Sequence, residues 1–255
     1  DLHVRSRRQR QMCIRDRSGG LTAGKAKGKG LGQAGNVNYT NGDMVPETVP
    51  VFPLEGALLL PGGQMPLNIF EPRYLAMIDD VMAADRVIGM IQPRLDGSRN
   101  TNGDSELSAI GCLGRLTSLT ETGDGRYLIT LQGICRFRIV HEKRTPKPYR
   151  VCDVSIFVAD LDLSAGADEV NRDGLLKSFR DYLEANQLEA DWESVTRASN
   201  ETLVNALSMM SPYGPAEKQA LLEAPDLRTR AETLIAITEI ALARGGGEDG
   251  GGILQ

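Results

Sequence analysis

The segment spanning residues 49–78, VPVFPLEGALLLPGGQMPLNIFEPRYLAMI, constrains this chain more than any other. Prolines at 50, 53, 61, 66 and 72 forbid a long helix through it, because each lacks the amide hydrogen that helix and ladder bonds require. The apolar runs between them are short and rich in residues that suit strands. The spacing predicts a strand over 49–53, a Pro/Gly loop, a strand over 65–70 and a helix over 72–81. Pro72 stands at the first helical position, which its fixed φ favours. The segment holds almost nothing that makes or breaks bonds. A strongly specified shape with few reactive groups points toward binding.

The pattern continues as strands over 86–92, 111–122, 126–132, 135–140 and 150–158. A polar loop over 96–105 and a turn at 123–125 punctuate them. About six short strands at regular spacing predict a small barrel over 47–160. Tyr127, Ile129 and Leu131 share one face of their strand, and Phe137 and Ile139 point inward in the next. From 165 to 244 the period changes. Leu175, Leu176, Phe179, Tyr182 and Leu183 mark one helical face, and Leu203, Val204, Leu207 and Met210 another. Ser199 or Asn200 caps the second of these helices, Pro215 opens a third and Asp226 caps the last. The expected class is α+β, a β-pseudobarrel of about six strands followed by a helical bundle.

The two ends read differently. Residues 1–46 are expected to be a disordered basic segment without periodicity, and Met44 is an alternative start. The string RRQRQMCIRDR within it resembles translated adapter or read-through sequence, so the segment is set aside as artefactual or non-structural. Residues 245–255, Gly-rich, are expected to be a disordered tail. The first thirty residues carry nine Lys/Arg against two Asp, leaving twenty basic and thirty-two acidic residues for the rest. An acidic body argues against a broad phosphate-binding surface. No apolar run approaches the ~20 residues that span a bilayer, and no apolar secretory region follows the basic start. The expected location is the cytoplasm.

Catalytic constellations are not found. The string 19–25, GGLTAGK, has phosphate-loop spacing, but Ala26 stands where a magnesium-binding hydroxyl belongs and no strand precedes it. The two histidines are His3, in the basic segment, and His141, in a charged turn. Neither completes a triad. Lys177 and Lys218 are expected on exposed helix faces, away from any glycine-framed serine. The carboxylate pairs Asp79/Asp80 and Asp160/Asp162 read as solvated. Cys13, Cys112, Cys135 and Cys152 lack metal-ligand spacing and read as reduced thiols. No metal or cofactor is expected. The basic run Arg136, Arg138, Lys143, Arg144, Lys147 and Arg150 reads as a solvated hairpin, with few aromatics beside it for stacking on nucleic acid.

Taken together, FPL at 52–54, LPG at 60–62, PLNIFEPRYLAMI at 66–78, GCLGRLTS at 111–118, LQGICRFRI at 131–139 and SPYGPAEKQALLEAPDLRTRAETL at 211–234 resemble the N-terminal, substrate-binding domain of Lon proteases. The resemblance covers roughly residues 48–243. It implies a pseudobarrel like that of PUA domains and a role in recognising unfolded polypeptides. It also implies no catalytic residue within this region, since the ATPase and Ser-Lys peptidase modules of Lon lie downstream. With Gln255 as its end, the chain is expected to be a stand-alone protein of this type and not an enzyme. The matching motif residues Phe52, Pro53, Pro61, Pro66, Phe70, Glu71, Pro72, Arg73 and Tyr74 are expected to be structural, with Glu71 and Arg73 as a buried pair or helix cap. Leu58, Leu59 and Leu60, framed by Pro and Gly, are the expected peptide-binding loop. Expected partners are unfolded or exposed polypeptide segments and a Lon-type protease. A PUA-like nucleic-acid binder is the alternative.

Overall fold

The computed structural model describes residue 39, residues 41–163 and residues 166–245. The expected basic segment falls largely outside these residues, and the expected tail almost entirely so.

Six strands form one mixed sheet: β1 (Thr48–Pro53), β2 (Gln64–Ile69), β3 (Val87–Ile91), β4 (Ile110–Glu121), β5 (Tyr127–Lys143) and β6 (Arg150–Ile156). Their order is β2-β5-β4-β3-β1-β6, with a further β5–β6 pairing. That last pairing closes a five-stranded ring, β1-β3-β4-β5-β6. Only β1 and β3 run parallel. The long β5 makes closure possible. Its first half pairs with β2 and its second half with β6. Register shifts in β4 and β5 provide the extra twist that a small closed sheet needs.

The sequence pattern breaks β5 in two at Gly133, but the strand is continuous. Gly133 serves a different purpose. A Cβ there would overlap the Leu60 carbonyl, so the glycine lets another backbone cross the strand at close range. Inside the ring, Phe137 fills the centre. A Cβ on Gly111 would lie 2.6 Å from its ring, and one on Gly89 3.0 Å. Val49, Val51, Leu113, Cys135 and Cys152 complete this inner core.

Helix α1 (Pro72–Met82) carries Pro72 in its first turn and buries Tyr74, Met77, Ile78 and Val81. Five helices follow β6: α2 (Arg172–Ala185), α3 (Trp192–Arg197), α4 (Asn200–Met210), α5 (Pro215–Glu223) and α6 (Leu227–Gly245). Asn171 caps α2, and Asp226 accepts from the Thr229 amide to cap α6. Ser199 stands at the N-cap of α4, where its hydroxyl bonds Thr202. The short α3, capped by Asp191, has too few apolar residues to show a helical period in the sequence. A second hydrophobic core draws on the outside of the barrel, α1 and the C-terminal helices together. Residues 133–137 of β5 are therefore buried on both faces, inward by the ring and outward by the bundle.

Candidate functional site

Among the described residues, no group of three or more His, Cys, Asp or Glu is placed to hold a metal. Burial pushes the thiols of Cys135 and Cys152 up to about 12 and that of Cys112 well above the ordinary thiol range. Such thiols stay protonated at neutral pH and are poor nucleophiles. His141 is exposed on β5. Lys177 pairs with Asp181 one turn away. Lys218 departs from expectation: it is half-buried and donates to the Gly56 carbonyl, and desolvation lowers its pKa. It anchors the loop before β2 to α5, because that loop lies beneath the helix. Cys13, His3 and the phosphate-loop-like string 19–25 lie outside the described residues.

The basic run is not a solvated hairpin throughout. Arg136 is 4% exposed. Its Nε and Nη2 donate to Asp160 at 2.7 and 2.8 Å, and its backbone amide donates to the same carboxylate. The remaining guanidinium hydrogens go to the carbonyls of Leu222, Ala224 and Pro225, between α5 and α6. Alternation along β5 does aim Arg136 away from the ring, but the helices occupy that side. Asp160, expected in solvent, is buried with it. Three more of the run are paired as well: Lys143 with Asp153, Lys147 with Asp80, and Arg150 with Glu142. Lys147 and Tyr149 hold the Asp80 carboxyl below its usual range. Four of the six cations are thus neutralised locally, which removes most of the phosphate attraction that a nucleic-acid groove requires.

The expected leucine loop is corrected outright. Leu58, Leu59 and Leu60 are all buried, at 2% exposure or less, and present no surface to a peptide. Both sides of the loop are covered. Leu59 packs over Gly114, the Leu60 carbonyl sits on Gly133, and the Pro61 carbonyl accepts from Asn205 of α4. Three consecutive apolar residues point inward because the loop is a wedge between barrel and bundle.

The motif residues divide. Phe52 and Tyr74 are buried and stack edge to face, 4.2 Å between centroids. Pro61 is buried, and Pro53 partly so. Glu71 and Arg73 form a pair at 2.8 Å, but it stands in solvent, where such pairs contribute little. Arg73 also lies over the Tyr74 ring. Phe70 is 61% exposed, contrary to a purely structural role.

Phe70 belongs to an exposed surface that the motif alone does not reveal. Where β5 leaves the ring, residues 64–69 of β2, 127–132 of β5 and 116–121 of β4 form a three-stranded ribbon. Its inner face carries Leu67, Ile69, Ile129, Leu131 and Leu116, which belong to the core that also holds α1. Its outer face carries Pro66 and Asn68 from β2, Leu128 and Thr130 from β5, and Ser118 and Thr120 from β4. Phe70 continues the β2 alternation onto that face. Leu128 is 47% exposed. These positions carry no charge. Ionised groups gather at the ribbon's tip, where Arg126 pairs with Asp124. Among the described residues, strand β2 pairs with β5 alone and its other edge is open. Pro66 interrupts that edge, as prolines in edge strands do. An open edge beside alternating apolar side chains is the geometry that accepts an extended peptide as an added strand.

Residues 48–239 match the family model described as the ATP-dependent protease La (LON) substrate-binding domain. Among curated relatives, Lon protease 2 of Myxococcus xanthus is 28% identical over 208 residues, covering 77% of this chain and 24% of that protein. Lon protease of Anaeromyxobacter dehalogenans is 26% identical over 248 residues, covering 92% of this chain and 27% of that protein. The chain therefore spans about a quarter of the length of these two relatives. The solved Lon N-terminal domain protein from Xanthomonas campestris aligns with a TM-score of 0.54 at 24% identity, over 74% of this chain and 97% of that one. The N-terminal domain of Mycobacterium avium complex Lon protease aligns with a TM-score of 0.55 at 20% identity, over 75% and 98%. At these identities the structural matches establish the fold, and the sequence match over most of the chain establishes the lineage: this chain belongs to the LON substrate-binding domain family.

Proposed function

We propose that this chain is a non-catalytic polypeptide-binding module that captures extended or unfolded segments on the outer face and open edge of the β2-β5-β4 ribbon. The observation that carries the reading is Phe70, a large aromatic left mostly in solvent beside uncharged side chains and a strand edge that is unpaired among the described residues. Exposed apolar surface of this kind costs solubility and is commonly kept for a partner. The family supports the same direction. On this reading the barrel (47–160) and the helical part (165–244) are two subdomains of one unit, in which the helices hold the barrel rigid. The module acts in protein quality control in the cytoplasm, delivering captured chains to a Lon-type protease. Among the described residues, no helix is long and apolar enough to cross a membrane.

The test is fluorescence anisotropy with a labelled, reduced and carboxymethylated polypeptide. The wild-type chain binds it, and Phe70→Ser and Leu128→Ser each weaken binding about tenfold, or about 1.4 kcal/mol. Equal affinities for wild type and both variants would sink the ribbon as the site. Casein turnover abolished by a single serine substitution would overturn the non-catalytic reading.

A further inference from the structure

The junction of barrel and bundle holds a second buried guanidinium beside that of Arg136. Arg230 of α6 is 5% exposed. Its Nε donates to the Leu221 carbonyl at 3.0 Å and its Nη1 to Asn205 Oδ1 at 3.1 Å. Its Nη2 has no hydrogen-bond partner among the described residues, and no carboxylate lies within ion-pair distance of the guanidinium. A buried guanidinium ordinarily has a carboxylate to itself. The neighbouring Arg136 shows that arrangement, with Asp160 held by two of its nitrogens. Arg230 lines a cavity of about 180 Å³, together with Asn205, Arg136 and the first residues of α6. The start of this nineteen-residue helix lies on the same wall, its dipole shared with the capping Asp226 carboxylate.

None of the described carboxylates around the cavity forms an ion pair with Arg230. Asp160 is committed to Arg136, and Asp226 accepts from the Thr229 amide as the α6 cap. Asp162 lies on the wall and makes an interaction of its own. Glu201, half-buried on the same wall, forms no ion pair within 4.0 Å among the described residues and opposes an incoming anion. Desolvation, and then the like charge of Arg136, lower the Arg230 pKa to about 10, as expected of a buried cation whose charge is poorly compensated.

We propose that Arg230 and the N-terminus of α6 form a binding subsite for a carboxylate group, supplied by a small organic acid or by the free C-terminus of a polypeptide. The cavity holds a group of a few heavy atoms, and a ligand that small binds on the order of millimolar. The subsite does not depend on the ribbon, and either can fail without the other.

The experiment uses the full chain. Acetate is titrated at constant ionic strength against chloride, with acetamide as the uncharged control, following the Arg230 Nε–Hε resonance and the unfolding midpoint. The expected result is a saturable shift of that resonance and a rising midpoint with acetate alone. Glu201→Gln, a substitution on the wall at a residue without an ion pair, removes the opposing charge and tightens acetate binding several-fold. A peptide with a free C-terminus that perturbs the same resonance more strongly than its amidated twin identifies chain ends as the source. A response to acetate but not to the free-acid peptide identifies small acids. No saturable response, equal responses to acetate and acetamide, or acetate affinity unchanged in Glu201→Gln overturns the proposal.

Discussion

The barrel–bundle junction and the outer face of the ribbon are built from opposite materials. The junction buries the Arg136–Asp160 pair among leucines. The ribbon exposes Phe70 and Leu128 beside the uncharged Pro66, Asn68, Thr130, Ser118 and Thr120. Each inverts the usual distribution of polar and apolar residues, and each inversion has its own cost. The junction contains polar groups because helix ends must be satisfied where they meet the barrel. The last carbonyls of α5 have no partner within the helix, and Arg136 supplies the missing donors. The ribbon has no such structural requirement. Its inner face packs on the core that includes α1 and needs nothing from the outer face. A rule-breaking feature that a fold requires is structural. One that the fold could lose without consequence points to a partner.

The largest expected effect breaks the junction. Arg136→Met leaves the Asp160 carboxylate buried without its partner and three carbonyls without donors. Losing one member of a buried pair costs about 3–5 kcal/mol. Chemical denaturation should show that loss as a lower midpoint with an unchanged slope. Adding Asp160→Leu should recover part of the stability but not all, because the carbonyls of Leu222, Ala224 and Pro225 remain unpaired. Full recovery would mean that the helix-end bonds contribute nothing. Next is Leu59→Ala, which opens a cavity over Gly114 and costs about 2–5 kcal/mol. A change below about 0.5 kcal/mol would show that the leucine loop is looser than its burial implies and would return it to the list of binding surfaces.

A smaller effect comes from the thiols. Cys135 and Cys152 titrate at about 12 in the folded chain, against an ordinary value of 9.0. A group with a raised folded pKa contributes its stability fully below the unfolded pKa and loses it as pH rises. Stability should therefore be flat in this contribution up to about pH 8 and fall between about 9 and 12. Cys152→Ala should flatten that fall relative to wild type, measured by thermal unfolding across the range. An equally steep alkaline limb in the variant would assign it to other groups.

Legibility followed the same division. The strands and the longer helices could be read because prolines, glycines and caps are local signals: Pro72 and Pro215 open helices, and Asp226 caps one. Alternation correctly turned Phe137 inward and Arg136 outward. The reading failed at the next step, which assumed that outward means solvent. Only the packing of α5 and α6 on β5 decides that, and no local pattern carries it. The same blindness placed Leu58, Leu59 and Leu60 on a surface and Asp160 in solvent. Residues 133–134 were left between two strands because a sequence shows that Gly133 lacks a side chain, not what fills its place. The ribbon was half-visible. The FEPRY motif drew attention to Phe70, and residues 65–70 were read as a strand, though without assigning its faces. What was missing was that no strand of the described residues covers β2's far edge, a property of the sheet order alone.

The smallest expected effect on stability is the one that sharpens the comparison most. Phe70→Ser removes a ring that the fold does not pack, so the unfolding free energy should move by no more than about 0.5 kcal/mol. The same substitution should weaken polypeptide binding about tenfold. Salt completes the argument. Capture through an uncharged face should change less than about twofold between 50 and 200 mM salt, whereas binding through 6–10 phosphate contacts loses about 10³–10⁵ over that range. A steep salt dependence with Phe70→Ser without effect would shift the function from the ribbon to Arg138 and Arg144, the two cations of the basic run that form no ion pair among the described residues. A large stability loss in Phe70→Ser would show instead that the ring is needed by the fold, and the distinction between the two regions would fail where it was drawn. Neutral stability with weakened, salt-insensitive binding leaves Phe70 one role, contact with a partner chain.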